Sequence, residues 1–547
     1  MKRKSIYTLA SIWLGCLLVL FSGCATIPTE YITSNEIAII PQPQKMVVGD
    51  GQFNISAKAG ISYNDAELVD CAEFLAEYVN VSNKNISSKF NPEADIVLKV
   101  NEQNDQYLGD EGYTLKISKD QVVINANSVA GVFYGVQTIR QMLPISIEQK
   151  DGIDVRAALK CVEIMDQPRY GWRGFMLDES RHFFGQEQVE KTLDMMALYK
   201  MNRFHWHLTD MNGWRIEIKK YPKLTEVGGK GDWTSGENAG GFYTQEQIKQ
   251  VVEFARKRNI VIIPEIDMPG HATAANKAYP EFSGGGTDRH PEFTFNIGKE
   301  ETYSYLSDIL KETTELFPGP WIHFGGDEVH FANKQWKDIP EIQELMEKEN
   351  LKTLYEVETY FNRRMAGVID SLGKTTAGWD EVVDAGLDPE KTVVMWWRHN
   401  MPTQLAKALD KDFKVVLCPR IPCYFDFVQH KTHKMGRTWS GFGSLEGVYQ
   451  FPDMPESYKV KDSEQIMGIQ ACLWTERVHN LERFDYMVYP RLSALAESCW
   501  TNQANKDWDN YQQRLKSHIQ LYDVLGIGYF DAFDPEKTPE PMWPIQK

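Results

Sequence analysis

Trp321-Ile322-His323-Phe324-Gly325-Gly326-Asp327-Glu328-Val329-His330 reads as a buried strand that opens into a site. An apolar run ends in two glycines, and two adjacent carboxylates follow. Successive side chains on a regular strand point to opposite faces. Gly325 and Gly326 permit a local bend that aims both acids into one pocket. Two carboxylates held that close repel, so the pair retains a proton near neutral pH. This is acid/base equipment. Surface turns also carry acidic pairs after Gly-Gly, so the decapeptide needs its context.

That context is a repeating pattern. After Pro168, apolar strand-like runs alternate with helix-period segments. The runs are 172–177, 203–208, 261–266, 321–324, 375–379, 393–397, 413–417 and 466–473. Helical segments such as 186–199, 244–256 and 303–317 lie between them, and Thr244 with Gln247 fits a capping box. Eight strands with interleaved helices predict a (β/α)8 barrel, a TIM barrel. A doubly wound open sheet is the alternative; the count of eight and the lack of a GxGxxG fingerprint favour the barrel. Upstream, 112–117 and 121–124 read as a hairpin and 128–142 as an amphipathic helix, giving a smaller α+β domain over 37–166. The barrel and a C-terminal helix take 167–547.

Chemistry in a barrel gathers at the C-terminal ends of its strands. Here each run leaves through polar or aromatic residues. The first exits through Asp178, Arg181 and His182. The second carries His205, His207 and Asp210, and the third Glu265, Asp267 and His271. The fourth ends in Asp327 and Glu328, and the fifth in Trp379, Asp380 and Glu381. The sixth gives Trp396, Trp397 and Arg398, the seventh leads to Tyr424 and Asp426, and the eighth to Trp474 and Glu476. Fifteen tryptophans are present. Most must serve core packing, but tryptophan at a rim also stacks on the C–H face of a pyranose. A net charge of −17 with no long basic tract excludes nucleic acid as a partner.

These motifs resemble glycoside hydrolase family 20, the β-N-acetylhexosaminidases. The matching segments are Trp172-Arg173-Gly174 with Asp178 and Ser180-Arg181-His182, His205-Trp206-His207, Asp267-Met268-Pro269-Gly270-His271, His323 to Val329, Gly378-Trp379-Asp380-Glu381, Tyr424-Phe425-Asp426 and Leu473-Trp474-Thr475-Glu476. The resemblance implies retaining exo-hydrolysis of a terminal β-linked N-acetylhexosamine, in which the sugar's own acetamido oxygen attacks C1. It implies Glu328 as general acid/base, Asp327 as the partner of the acetamido N–H, and Tyr424 as the hydroxyl on the acetamido oxygen. Trp379, Trp397 and Trp474 would wall the acetamido pocket, with Trp396 competing with Trp397. Arg173, Asp426 and Glu476 would grip ring hydroxyls, and Asp267 and His271 would support the acid/base network. No cofactor is implied. Lacto-N-biosidase and sulfo-GlcNAc specificity remain open within the family. Adjacent acids agree with the scheme, since ordinary retaining enzymes set two carboxyls roughly 5 Å apart across the anomeric carbon.

Two other readings compete. His-x-His at a strand end occurs in metal hydrolases, with His205, His207, His271 and Asp327 as zinc ligands. Such amidohydrolases carry that motif on the first strand with a bridging lysine, and neither is present. A non-catalytic glycan-binding protein would keep the tryptophans but has no need of the acid pair. At the N-terminus, Lys2, Arg3 and Lys4 precede an apolar stretch to Phe21, a signal peptide over 1–23. Phe21-Ser22-Gly23-Cys24 resembles a bacterial lipobox. The expectation is a lipid on Cys24, a tether over 24–36 and an envelope location. Cys161, Cys418 and Cys472 sit in apolar runs and read as buried thiols. His430, Lys431, His433, Lys434 and Arg437 form a basic cluster, read as a solvated loop or as a determinant for anionic glycans.

Overall fold

The computed structural model describes residues 32–33, 37–79, 81–149, 157–231, 240–329, 333–453 and 464–542. The leader, Cys24 and all of the tether except 32–33 lie outside them. No helix among the described residues is long and apolar enough to cross a membrane.

The first domain is a mixed sheet with helices on it. Its strands are β1 (Ile32–Thr33), β2 (Lys45–Asn54), β3 (Ile61–Tyr63), β4 (Ile86–Ser87), β5 (Ile96–Val100), β6 (Tyr113–Ile117), β7 (Val122–Ala126) and β8 (Ala157–Asp166). They run in the order β1-β8-β6-β7-β5-β3-β4, with β2 antiparallel to β8. The expected hairpin is β6–β7, where Tyr113 pairs with Ala126. Helix Val129–Met142 starts at Ser128, whose hydroxyl accepts from Gly131 N–H, and it packs on β5, β6 and β7.

Eight parallel strands then close the predicted barrel: β9 (Trp172–Asp178), β10 (Arg203–His207), β11 (Val261–Met268), β12 (Trp321–Gly325), β13 (Thr375–Trp379), β14 (Thr392–Trp396), β15 (Lys414–Leu417) and β16 (Ile466–Leu473). β9 is buried at every residue, as strands covered on both faces must be. Thr244 caps its helix with the capping box read from sequence.

Strand parity sorts the side chains. Trp172, Met176, Ile263, Ala377, Trp379, Val393, Met395, Val416 and Cys472 fill the barrel interior. Phe175, Leu177, Val394, Trp396 and Leu417 belong to the outer core under the helices. Register sets His207 beside Asp178 on one neighbour and Glu265 on the other, and Glu265 beside His323. One polar layer therefore crosses the barrel just below its C-terminal mouth. All six described cysteines are free and buried.

The two domains share a polar seam. Trp500 Nε1 and the Lys200 ammonium both bind Asp166, and Gln141 Nε2 donates to Leu198 O. Arg173 lies in this seam, which corrects its expected place in the sugar site. Its guanidinium forks onto Glu111 at 2.9 Å twice and donates to Tyr134 Oη at 2.8 Å. Tyr134 and Trp500 flank it. The reason is positional. Arg173 has the outward parity of Phe175 and Leu177, and it lies five residues before the rim residue Asp178, roughly 16 Å along a strand.

Candidate active site

A cleft opens at the C-terminal mouth of the barrel. It is lined by Asp327, Glu328, His271, Trp379, Trp397, Tyr424, Asp426, Trp474 and Glu476, and also by Arg181, Arg420, Phe427, Arg437 and Trp439. Of the expected site residues, Arg173 is absent from the lining and Asp267 lies buried behind it.

The acid pair is built by positive-φ backbone. Gly325 has φ +75°, Gly326 +87° and Glu328 +59°. A Cβ on Gly325 would lie 1.8 Å from Asp267 Oδ1, so that position admits no side chain. The left-handed conformation at Glu328 is uncommon for a non-glycine residue and is held by the surrounding structure. The consequence is asymmetry. The Asp327 side chain is 12 % exposed and that of Glu328 38 %.

His271, itself at φ +53°, sits over both acids. Its Nδ1 donates to Asp210 Oδ1 at 2.9 Å, and its Nε2 lies 3.6 Å from Asp327 and 3.8 Å from Glu328. Burial alone would lower its pKa, but Asp210 and Asp327 raise it to about 9. Burial also dominates at Asp327. His271 opposes it and the Glu328 charge adds to it, leaving Asp327 at about 6. Asp327 Oδ1 is buried and accepts no hydrogen bond from the described residues. Buried acceptors without donors are uncommon, and this one points to a ligand donor. Burial and the neighbouring Asp327 charge hold Asp267 well above the usual carboxylate range.

Aromatic walls complete the cleft. Trp397 stacks parallel to Tyr424 with centroids 6.3 Å apart, and Trp474 lies within 6.0 Å of Tyr424 and 5.8 Å of Trp379. Trp379 Nε1 donates to Glu265 at 3.0 Å, and Trp397 Nε1 to Glu381 at 3.0 Å. Parity resolves the doubled tryptophan: Trp397 shares the inward face of Met395, while Trp396 packs outside.

Beneath the cleft, Glu265 is the hub. His207 Nδ1 donates to it at 2.6 Å, and His205 Nε2 and His323 Nδ1 lie 2.8 and 3.0 Å from it. His207 Nε2 donates to Asp210 at 2.9 Å. Both ring nitrogens of His207 are thus engaged by carboxylates, and Gln470 Nε2 donates to His205 Nδ1. These histidines sit under the rim as supports.

Two groups received no role in the sequence reading. Arg181 enters the cleft with its guanidinium over Trp474 and paired with Asp178 and Asp210. Its position in the loop after β9 was the available signal, since rim loops rather than strand starts reach the mouth. Trp439, 60 % exposed, stands at the cleft edge with its ring on Phe427. Of the basic cluster, Arg437 reaches the cleft, where Asp426 and Glu476 bind it at 2.8 and 2.6 Å. His433 is buried against Tyr486 and Phe530 instead.

An eight-stranded barrel with a carboxylate pair and a tryptophan box at its mouth defines a glycoside hydrolase. Sequence comparison agrees: residues 170–503 match the catalytic domain of glycosyl hydrolase family 20, and residues 36–167 match domain 2 of that family. The chain belongs to family 20. A β-hexosaminidase of Porphyromonas gingivalis is 36% identical over 90% of this chain, which spans 64% of that relative's length. One from Vibrio furnissii is 33% identical over 84% of the chain and 76% of its own length. Among solved structures, an exo-β-N-acetylglucosaminidase from Vibrio harveyi in complex with N-acetylglucosamine superposes with a TM-score of 0.80 at 33% identity. That match covers 91% of this chain and 79% of the other.

Proposed function

We propose that the protein is a retaining exo-β-N-acetylhexosaminidase that works by substrate assistance. The observation that carries this is the unequal pair. Glu328 stands at the open side of the cleft, while Asp327 is buried with one oxygen that takes no donor from the described residues. Two such neighbours do not flank an anomeric carbon as nucleophile and acid. Glu328 protonates the leaving oxygen and then activates water. Asp327 accepts the acetamido N–H and stabilises the positive charge that develops on the oxazolinium. Tyr424 donates to the acetamido oxygen, and Trp379, Trp397 and Trp474 enclose its methyl group. Asp426 and Glu476 take ring hydroxyls at the far end. No residue is needed as a covalent nucleophile, because the substrate supplies one.

The test is a set of aryl glycosides. The protein should hydrolyse an aryl N-acetylglucosaminide or N-acetylgalactosaminide and leave the matched glucoside intact, since the glucoside lacks the acetamido nucleophile. Glu328→Gln should lower kcat by about 10² to 10⁴ on poor leaving groups, and by less on 4-nitrophenol. Asp327→Asn should lower it whatever the leaving group. Turnover of the glucoside at a comparable rate would refute the reading. A lipid on Cys24 and an envelope location form a separate proposal, resting on the lipobox-like Phe21-Ser22-Gly23-Cys24. Mass spectrometry of the mature N-terminus checks it, and an unmodified end starting elsewhere rejects it.

A further inference from the structure

The guanidinium groups around the cleft are not equivalent. Arg181 is paired with Asp178 and Asp210, Arg437 with Asp426 and Glu476, and Arg398 with Asp380. Arg420 has no carboxylate within ion-pair distance among the described residues. Its side chain donates to the amide oxygen of Asn400 at 2.6 Å. The guanidinium carbon lies 4.9 Å from the Trp397 ring and 4.6 Å from that of Trp439. Its buried Nε has no partner among the described residues. Glu328 and Asp380 act on it only through space.

Position gives this cation a meaning. Trp397 belongs to the wall of the acetamido pocket, while Trp439 is the exposed ring at the cleft edge. Glu328, which acts on the leaving oxygen, is the acid of the catalytic pair whose charge Arg420 feels. The departing half of the substrate must pass this corner. A guanidinium held by two indoles is preorganised, and its remaining N–H groups suit a planar or tetrahedral oxyanion. A free cation of this kind is conspicuous in a chain of net charge −17.

We propose that Arg420 and Trp439 form a leaving-group subsite selective for an aglycone sugar that carries an anion, either a sulfate ester or a uronate carboxylate. This rests on the hexosaminidase reading above and sharpens its substrate class. It also relocates the anion preference that the basic cluster suggested. The cluster's one cleft member, Arg437, has its charge cancelled by two carboxylates, and the unpaired cation lies seventeen residues earlier in the chain.

The experiment compares three disaccharides with N-acetylglucosamine β-linked to galactose, to 6-sulfogalactose and to galacturonate, reading kcat/KM by release of N-acetylglucosamine. The wild-type protein should favour at least one anionic substrate by about tenfold, the scale of one charge-assisted contact. The two anionic arms separate sulfate from carboxylate. Arg420→Gln should bring the anionic-to-neutral ratio near one, and Arg420→Lys should retain part of it. Raising the salt from about 0.05 to 0.5 M should lower the wild-type ratio, because a half-exposed pair is screened; this arm needs no variant. A wild-type ratio at or below one for both anions overturns the proposal. So does a ratio that neither Arg420→Gln nor salt alters. If the neutral disaccharide and both the aryl N-acetylglucosaminide and the aryl N-acetylgalactosaminide are inert, the hexosaminidase reading fails and takes the subsite with it. Turnover of the neutral substrate without anion preference removes the subsite alone.

Discussion

Replacing His271 by asparagine should move the acid limb of the pH–rate profile toward alkaline pH. Above the cleft acids, His271 is the cation that favours ionised Asp327, with its Nε2 3.6 Å from Asp327 Oδ2. With a pKa of about 9 it is charged throughout the range in which Asp327, at about 6, titrates. The sign is therefore definite. In the proposed mechanism Asp327, once protonated below pH ~6, no longer accepts the acetamido N–H, and removing the cation raises that midpoint. Coulomb's law at this distance gives about 1 kcal/mol in a water-like medium and about 5 kcal/mol at an effective dielectric of 20. At 1.36 kcal/mol per unit, the shift is at least about 0.8 pH unit. Asparagine is the right substitute because it tolerates the left-handed backbone that His271 occupies at φ +53°. The assay is kcat/KM on an aryl N-acetylglucosaminide from pH 4 to 9, which reports groups in the free enzyme. An acid limb that stays in place, or moves to lower pH, would show that Asp327 does not govern the profile or that His271 does not set its charge.

Other outcomes follow from the same geometry. Arg173→Met should lower stability by about 3–5 kcal/mol by stranding Glu111, read as a denaturant midpoint, while the KM of the folded protein stays unchanged. A rise in KM without loss of stability would return Arg173 to the sugar site. Glu358 is buried with one oxygen that has no partner among the described residues, and burial with the Asp327 charge pushes its pKa up to about 8. Its carboxyl binds a proton in the fold that the unfolded chain has released above pH ~4.5, so stability falls between about pH 4.5 and 8. Glu358→Gln should therefore raise Tm over the wild type by an amount that grows from pH 5 to pH 8; a pH-independent difference would contradict this. Treatment with a chelator should leave kcat/KM unchanged, because both nitrogens of His207 already serve Glu265 and Asp210. Loss of activity restored by zinc would reopen the metal reading.

The barrel was legible because its eight apolar runs are short, regular and punctuated, and each was found within about two residues of its strand. The rim was legible because strand ends carry the polar residues. What escaped was parity and loop reach. Arg173 and Trp172 are neighbours in one motif, yet one faces the domain seam and the other the barrel interior. A motif match does not say which end or face of a strand a residue occupies, but counting inward positions back from Asp178 does. Trp396 and Trp397 were ambiguous for the same reason, and alternation from Met395 separates them. Arg420 carried no sequence signal at all. Its character depends on the absence of a nearby carboxylate and on two tryptophans that meet it only in three dimensions.

The adjacency of Asp327 and Glu328 is best understood as a way to give two identical functional groups different environments with one turn of backbone. Gly325 and Gly326 bring the chain out of β12 in a conformation that packs the first acid against Asp267 and His271 and leaves the second at the opening. Burial raises the pKa of Asp327, and His271 limits the rise so that the group ionises close to neutrality. The positions of both depend on what lies below. Asp210 holds His271, His207 joins Asp210 to Glu265, and Glu265 fixes Trp379 in the wall of the cleft. One hydrogen-bonded chain thus runs from His271, whose Nε2 lies 3.6 Å from Asp327, to the pocket that would hold the acetamido group. A substrate-derived nucleophile demands this arrangement, since the acetamido oxygen reaches C1 only when its methyl group and its N–H are both held. The acid pair and the tryptophan box are therefore parts of one rigid layer.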